Sequence, residues 1–309
     1  MIDLTHRTVA VLMGGPGSER QVSLASGKGV ATALRELGAN VVEIDVEGPD
    51  FQIPSGVEIA FNVIHGTFGE DGQLQRIMEE RGVRYTGEGV VTSEMAIDKI
   101  ASKQRFVERG VPTAPFEVIR GDNHPVMDVP LVIKAPREGS SVGVYIVKDA
   151  AELENSLSQA RKYADELLVE KFIPGRELTV GILGDEALPI IEIVAKKDFY
   201  NFENKYPFLN PNAAGADHFC PAPLTEEQTR EIQEIALSAH RALGLQTYSR
   251  VDLQLSESGQ AFVLEINTIP GMTPSSLLPE AAAAVGVSYP ALCARIIELS
   301  FAARPPRSS

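Results

Sequence analysis

The sequence has few cysteines, an excess of acidic over basic residues and no long apolar run. Its two cysteines, Cys220 and Cys293, lack the spacing of a metal site and are too few for a disulfide framework. The 28 basic residues are outnumbered by 42 acidic ones, and the formal net charge is −14. This argues against nucleic acid and anionic membrane surfaces as partners. With no apolar stretch of membrane-spanning length and no signal-peptide charge in residues 1–4, we expect a cytoplasmic protein.

Two stretches near the C-terminal end predict a β-hairpin. Residues 248–255 and 260–267 alternate polar and apolar side chains with period two, which is typical of half-buried strands, and residues 256–259 are turn formers. A two- or four-residue loop would pair Leu255 with Gln260 and Arg250 with Glu265. One face of the hairpin would then carry four polar side chains: Arg250, Asp252, Glu265 and Asn267. The other face would be buried: Val251, Leu253, Phe262, Leu264 and Ile266.

The carboxylates on this polar face need a partner. Two carboxylates about 5 Å apart repel each other by roughly 3 kcal/mol at an effective dielectric near 20. Either an ion pair with Arg250 or a hard divalent cation would relieve that repulsion, and Asp, Glu and Asn oxygens suit magnesium or manganese. Residues 268–274 follow directly as a rigid, glycine-punctuated loop whose backbone donors could reach a reacting group.

The first part of the chain predicts a parallel α/β sheet. Strands at 8–13, 41–46 and 60–64 alternate with helices at 21–37 and 73–81. A dinucleotide-binding turn is disfavoured, because Gly15 and Gly17 would require a glycine where Arg20 stands. The amides at the start of the first helix suit a small carboxylate instead, with Glu19 available for an ammonium group. His65 opens a loop, 65–72, at the carboxyl end of the third strand, which is a favoured ligand position.

The middle of the chain predicts a second, different hairpin. Residues 130–136 form an apolar strand that ends near Lys134, and 144–147 form the returning strand. The loop between them, 137–143, offers amides and hydroxyls that could fold over phosphates, with Lys134 as the cation. An ordinary flexible hairpin remains an alternative here, as does a surface hairpin for residues 167–183. The stretch 207–223 is expected to be irregular, and irregular stretches of that length are usually functional or disordered.

These motifs together resemble a known family. The run 250–273, with spaced Asp, Glu and Asn followed by Pro-Gly-Met-Thr, resembles the metal site of the ATP-grasp ligases and, more narrowly, of the D-alanine–D-alanine ligase family. Residues 65–72, His-Gly-x-x-Gly-Glu-Asp-Gly, match the same family. The family's substrate-covering loop, often Tyr-x-Ala-Lys-Tyr, is changed at Phe202 and Asn204 while Lys205 and Tyr206 are kept. The resemblance covers nearly the whole chain.

The resemblance implies an α/β protein with an ATP-grasp fold in three domains, at about 1–96, 97–176 and 177–309. It implies ATP-dependent ligation of two D-alanines through an acyl phosphate, as a step in peptidoglycan precursor synthesis, by a homodimer. Two magnesium or manganese ions would be held by Asp252, Glu265 and Asn267. A link from Tyr206 to Ser141 and on to Glu19 would close the site.

The resemblance also assigns the remaining site residues. Arg250 and the Gly271 amide would stabilise an oxyanion. Substrate contacts would come from His65, Ser276 and Leu277. The ATP-binding residues would be Lys99, Lys134, Ser140, Glu170, Lys171, Ile173, Glu177, Phe199 and Lys205. Two alternatives stay open at this point: a ligase of the same fold that accepts D-lactate, which the Lys205–Tyr206 pair disfavours, and a non-catalytic nucleotide-binding domain.

Overall fold

The computed structural model describes residues 2–196 and 215–304. Its N-terminal part is a parallel sheet in the order β2-β1-β3, which confirms the prediction of a parallel α/β unit. The central strand is almost entirely buried because helices cover both faces of the sheet, as parallel strands require. The elements of this part are β1 (Thr8–Gly14), α1 (Arg20–Glu36), β2 (Asn40–Val46), β3 (Ile59–Asn62) and α2 (Gln73–Glu80).

A four-stranded antiparallel sheet in the order β4-β7-β5-β6 follows. The helix α4 precedes this sheet in the chain. The Asp98 carboxylate caps α4 by accepting the backbone N–H groups of Ile100 and Ala101 at 3.0 and 3.1 Å. The helix ends before Gly110, which has a left-handed φ of 70°. The elements are α3 (Val90–Ile97), α4 (Lys99–Glu108), β4 (Phe116–Arg120), β5 (Leu131–Lys134), β6 (Val144–Val147), a 3₁₀ turn (Ala150–Glu152), α5 (Leu153–Ala160) and β7 (Glu166–Lys171).

A five-stranded antiparallel sheet in the order β10-β9-β8-β11-β12 forms the rest. Residues 216–219 are a strand of this sheet, so the expectation of an irregular stretch through 223 is wrong there, while 207–214 lie outside the described residues. The elements are β8 (Gly175–Leu183), β9 (Glu186–Ala195), β10 (Ala216–Phe219), α6 (Glu226–Ala242), β11 (Tyr248–Ser256), β12 (Ala261–Asn267), α7 (Leu277–Ala284) and α8 (Tyr289–Ala303).

The predicted β11–β12 hairpin exists, but its register differs from the prediction. Arg250 pairs with Asn267 and not with Glu265, and Asp252 pairs directly with Glu265. The loop has three residues, 257–259, closed by the Ser256 N–H donating to the Gln260 carbonyl at 2.9 Å, with Gly259 left-handed.

A β-bulge after Asp252 leaves Leu264 as the extra residue on β12. Because of this bulge, Phe262 and Leu264 are only half-buried, contrary to the prediction, and Ala261 and Val263 are buried in their place. The bulge also keeps the polar side chains of Arg250, Asp252, Glu265 and Asn267 together, as the sequence predicts.

The two ends of the chain share one hydrophobic core. Val30 and Leu34 of α1 pack in the same buried cluster as Leu292 and Ile296 of α8. Among the described residues no single helix is long and apolar enough to cross a membrane, and α7 with α8, which together would be, bend by 105° at their junction. The domain boundaries stay a prediction, although β8 already belongs to the five-stranded sheet from Gly175.

Candidate active site

Two neighbouring cavities meet at the polar face of the β11–β12 hairpin. The first, about 670 Å³, lies between the N-terminal loops, the hairpin and the loop before α7. The second, about 120 Å³, lies between the two antiparallel sheets and is lined from β5, β6, β7, β8, β11 and β12. Glu265 lines both cavities. A group transferred from one cavity to the other would therefore pass this carboxylate.

Asp252 is the centre of a hydrogen-bond cluster on this face. It is 6% exposed. Arg250 donates to both of its oxygens, at 2.9 and 2.7 Å, and the Thr179 hydroxyl donates to it at 2.6 Å. The Asn267 amide nitrogen donates at 3.1 Å. The ion pair with Arg250, one of the two partners that the sequence allows, is thus present, and it is bidentate.

Glu265 pairs with a different cation. Its Oε2 lies 2.9 Å from Lys99 Nζ, which also donates to the Glu138 carbonyl at 2.8 Å. Burial by itself lowers the pKa of Lys99, but the adjacent Glu265 carboxylate outweighs burial, so the pKa is raised. Lys99 is therefore held as a cation at the wall of the second cavity, where a phosphate-binding lysine is expected from the resemblance.

The oxygens on this face fit a magnesium ion. Magnesium in nucleotide sites is typically held by one or two carboxylates together with substrate phosphates, and not by a full set of protein ligands. Asp252 and Glu265 face each other across paired strands, and Asn267 adds an amide. Within residues 2–196 and 215–304 no group of three or more His, Cys, Asp or Glu could hold a metal ion. Two carboxylates and one amide oxygen are a donor set that suits magnesium when substrate phosphates supply further ligands.

Glu19 is enclosed by backbone from two other loops. Its carboxylate accepts a hydrogen bond from the Ser140 hydroxyl. A Cβ at Gly66 or at Gly139 would lie 2.7 or 2.8 Å from Glu19 Oε2, so a side chain at either position would displace the Glu19 carboxylate. The link from Ser141 to Glu19 that the resemblance implies stays a prediction; Ser140 makes the contact given above, and Ser141 lines the second cavity. Both serines are left-handed, with φ of 51° and 62°, a strained backbone that is frequent at functional loops.

His65 ties the N-terminal loops to the loop before α7. Its Nδ1 lies 2.8 Å from the Ile269 carbonyl, to which it donates, and its Nε2 lies 3.2 Å from the Ser26 hydroxyl. Ser26 accepts the Met272 backbone N–H at 3.3 Å. Burial lowers the pKa of His65 although the Glu19 carboxylate opposes the shift. His65 is therefore a neutral ring that fixes the position of the loop before α7.

Glu70 is a cavity residue to which the sequence analysis gave no role. It accepts the Ile269 backbone N–H at 3.2 Å and lines the first cavity. Burial, reinforced by the nearby Glu19 carboxylate, raises its pKa well above the usual range. A carboxyl whose pKa is raised by burial beside a cavity is typical of active sites. The only signal for it in the sequence is its position in the loop that begins at His65.

The loop before α7 supplies donors at the far wall of the first cavity. The Ser276 hydroxyl accepts the Thr273 backbone N–H at 3.1 Å and lies 2.7 Å from the Thr273 hydroxyl. Gly271 packs so close that an added Cβ would lie 2.9 Å from Ser276 Oγ. A hydrogen bond between the His218 ring and the Glu280 carboxylate, 2.9 Å long, lines the same wall and was not found from the sequence. Leu277 also lines this cavity.

Lysine and glutamate side chains line the second cavity. Lys134 pairs with Glu170, and Glu170 also pairs with the buried Lys103. Burial raises the pKa of Glu170, but the two ammonium groups outweigh it, so the net shift is downward and Glu170 is an anion. The other predicted nucleotide residues of the described chain that line this cavity are Lys99, Lys171, Ile173 and Glu177, whereas Ser140 lines the first cavity. Phe199, Lys205 and Tyr206 lie outside the described residues.

Two antiparallel sheets that close on a lysine-lined cavity, with paired carboxylates at its mouth, define an ATP-grasp protein. Residues 106–298 match the family model described as D-ala D-ala ligase C-terminus. The chain belongs to the D-alanine–D-alanine ligase family.

Relatives of this family align over nearly the whole chain. The chain is 46% identical to the D-alanine–D-alanine ligase of Methylacidiphilum infernorum over 295 residues, which cover 96% of each chain. It is 44% identical to that of Geobacter sulfurreducens, covering 96% of this chain and 94% of the relative. Among solved structures, the ATP complex of the Bacillus anthracis D-alanine–D-alanine ligase superposes with a TM-score of 0.82 at 29% identity, covering 98% of this chain and all of that one.

Proposed function

We propose that this chain is a ligase that joins two D-alanines to D-alanyl-D-alanine with cleavage of ATP to ADP and phosphate. The product would enter peptidoglycan precursor synthesis. The observation that carries the proposal is the position of Glu265, which lines the two cavities at once and pairs with the buried Lys99. One cavity would hold the amino acids and the other the nucleotide, with the phosphoryl group transferred between them.

In the first step the carboxylate of one D-alanine attacks the γ-phosphorus of ATP. The bond to the β,γ-bridging oxygen breaks, ADP leaves and an acyl phosphate forms. Glu19 would accept the ammonium group of this alanine, while His65 would hold the surrounding loop. Lys99 and Lys134 would bind phosphate oxygens, and charge stabilisation of this kind accounts for most of the catalysis of phosphoryl transfer.

In the second step the amine of the other D-alanine attacks the acyl carbon. The tetrahedral oxyanion would be stabilised by Arg250 and the Gly271 N–H, and phosphate leaves as the amide forms. Ser276 and Leu277 would contact this second alanine, because both line the first cavity beside Gly271. Tyr206, with the loop serines and Glu19, would close the site and keep water from the acyl phosphate.

Magnesium or manganese, two ions as in the family, would be held by Asp252, Glu265 and Asn267 and would supply positive charge to the transferred phosphoryl group. The adenine would contact backbone groups of the hinge at Glu170, Lys171 and Ile173, and Glu177 would accept the ribose hydroxyls. Ser140 and Lys205 would bind phosphates, and Phe199 would be a further nucleotide contact. For the assembled protein we infer three domains at about 1–96, 97–176 and 177–309. We also infer a cytoplasmic homodimer without nucleic-acid or membrane partners.

The direct test measures ATP-dependent phosphate release with D-alanine, with D-alanine plus D-lactate, and without an acceptor. We expect release that depends on D-alanine and yields one dipeptide per phosphate, with little ester formation from D-lactate. Ester as the main product would instead assign the chain to a D-lactate-accepting ligase. ATP binding without release under any condition would leave only a nucleotide-binding domain.

A further inference from the structure

Lys103 is a fully buried lysine behind the wall of the second cavity. Its Nζ pairs with the Glu170 carboxylate and donates to the Thr113 hydroxyl at 2.5 Å. That hydroxyl donates its own proton to the Val263 carbonyl at 2.8 Å. Because the Thr113 oxygen can only accept from Lys103, Nζ is the donor in both contacts, as an ammonium group is.

The surroundings of Lys103 also favour the charged form. Nζ lies 5.6 Å from the centre of the Phe116 ring, within the range of a cation–π contact. Burial and the nearby Lys134 ammonium lower the pKa of Lys103, and the Glu170 carboxylate offsets only part of that shift. An ammonium group without exposed surface needs such partners, because an uncompensated buried charge is strongly destabilising.

Glu170 is shared between two lysines, one on each side. Its second ion pair is with Lys134, which lines the cavity, whereas Lys103 lies behind it. Two ammonium groups and one carboxylate give this cluster a charge of +1. Without Lys103, Lys134 and Glu170 would form a neutral pair, and Lys134 would attract phosphates far less.

We propose that Lys103 is a positioning residue for ATP: it neutralises Glu170 from behind, so that Lys134 keeps a net positive charge for the nucleotide phosphates. This inference rests on the proposed ATP-dependent function. The proposal gives a role to Lys103, a buried cation that touches neither substrate. It also explains why Lys134 can form an ion pair with Glu170 and still attract phosphates. The role is electrostatic, and it therefore predicts a change in ATP affinity and little change in the handling of D-alanine.

The test replaces Lys103 by methionine, which is similar in length and uncharged. We expect Lys103→Met to raise KM for ATP and the dissociation constant of Mg-ATP in calorimetry by roughly tenfold, the effect of one nearby unit charge. KM for D-alanine should change less than about twofold. Arg105→Met is the matched control: it removes the same charge from the same helix, but from a side chain that pairs with Glu108 at the surface. It should leave ATP affinity unchanged.

A second variant separates charge from packing. Lys103→Met combined with Glu170→Gln restores the net charge of +1 on Lys134, so its ATP affinity should return towards that of the wild type. Unchanged ATP affinity in folded Lys103→Met, or a double variant that binds ATP no better than Lys103→Met, would overturn the proposal. If Lys103→Met does not fold, the double variant is compared with Glu170→Gln instead. The double variant should then bind ATP roughly tenfold more weakly than Glu170→Gln does.

Calorimetry also keeps the two proposals apart. A wild-type protein that binds Mg-ATP but makes no dipeptide would contradict the proposed ligation, and the Lys103 variants would still report on ATP affinity. A wild-type protein that makes dipeptide, with variants of unchanged ATP affinity, would contradict only the role of Lys103. A protein that binds no ATP would contradict both.

Discussion

Glu265 combines an ion pair with a position at the boundary of the two cavities. Its carboxylate balances the charge of the buried Lys99 at 2.9 Å, and it stands between the two cavities beside Asp252. A neutral residue there would leave the lysine cation without its nearest anion and remove a negative ligand from the magnesium set. Both changes affect the transferred phosphoryl group more than they affect folding, because the hairpin core lies on the opposite face.

Glu265→Gln is expected to lower turnover by roughly a hundredfold or more while the protein stays folded. The estimate follows from the effect of removing one group that stabilises transition-state charge. Phosphate release with D-alanine at ordinary magnesium measures it, and circular dichroism checks the fold. Glu257→Gln, in the exposed turn of the same hairpin, is the control and should be active. Near-normal turnover of Glu265→Gln would show that the hairpin does not hold the metal.

At this scale the sequence predicts residue types better than contacts. It pointed to the Ser140–Ser141 pair and to Glu19, but not to the contact between Ser140 and Glu19. That contact depends on two successive left-handed residues, a conformation that is uncommon for serine and that local propensity does not indicate. Lys103 was missed for a related reason: nothing in a helical sequence shows which lysine turns inward to meet a glutamate 67 positions later.

At the scale of elements, the hairpin shows where periodicity stops being sufficient. Alternating residues correctly predict strands β11 and β12 and their polar face. The residues 256–259 are compatible with loops of several lengths, however, and the left-handed Gly259 selects a three-residue loop. The strand register therefore differs from the predicted one. A bulge at Leu264 is needed to keep the polar residues on one face of the hairpin. The bulge brings Leu264 to the wall of the second cavity, a position that alternation alone would have buried.

A buried histidine couples α6 to β11 and should make stability depend on pH. The His240 Nδ1 lies 2.8 Å from the Ser249 hydroxyl, and burial lowers the pKa of His240 from 6.5 to about 4. Between these values the unfolded chain binds a proton that the folded protein does not. The stabilisation is thus fully present above pH 6.5 and is lost as the pH falls to about 4. The pKa difference corresponds to about 3 kcal/mol.

His240→Asn removes this titration, so its unfolding free energy should fall less steeply between pH 6.5 and 4 than that of the wild type. Urea unfolding at several pH values measures the slope. The control is His6→Asn at an exposed histidine with a left-handed backbone that asparagine tolerates, and its slope should match the wild type. If the unfolding free energy of His240→Asn and of the wild type changed equally with pH, protonation of the His240 ring would not destabilise the folded protein.

At the scale of the whole molecule, the two ends of the chain depend on each other. Helices α1 and α8 share a buried cluster, and the His65 ring reaches the Ile269 carbonyl 204 positions away in the chain. Local patterns predict each helix separately, since each has its own apolar face. They do not predict which faces meet, because that is decided by packing over the whole chain. The composition of the N-terminal part alone gives no sign that its core is completed by the last helix.

Glu88 makes this dependence testable, because it anchors the start of β11 from the N-terminal part. Its buried Oε1 accepts the backbone N–H groups of Gln246 and Thr247 at 2.9 and 2.7 Å and the Thr247 hydroxyl at 2.6 Å. β11 then carries Arg250 and Asp252. Removal of the carboxylate would leave buried donors without an acceptor, a cost that exceeds the net strength of the bonds themselves.

Glu88→Ala is therefore expected to lower the unfolding free energy by about 2 to 4 kcal/mol and to lower turnover with it, since the strand bearing the Asp252 cluster loses its anchor. Glu88→Gln keeps one acceptor oxygen and should lose less. Glu94→Ala, which breaks only an exposed ion pair with Arg76, should lose less than about 1 kcal/mol. Urea unfolding measures the stability of the three variants, and phosphate release measures their turnover. If Glu88→Ala were as stable as Glu94→Ala, the N-terminal part would not be holding β11, and the two cavities would owe their alignment to the sheets alone.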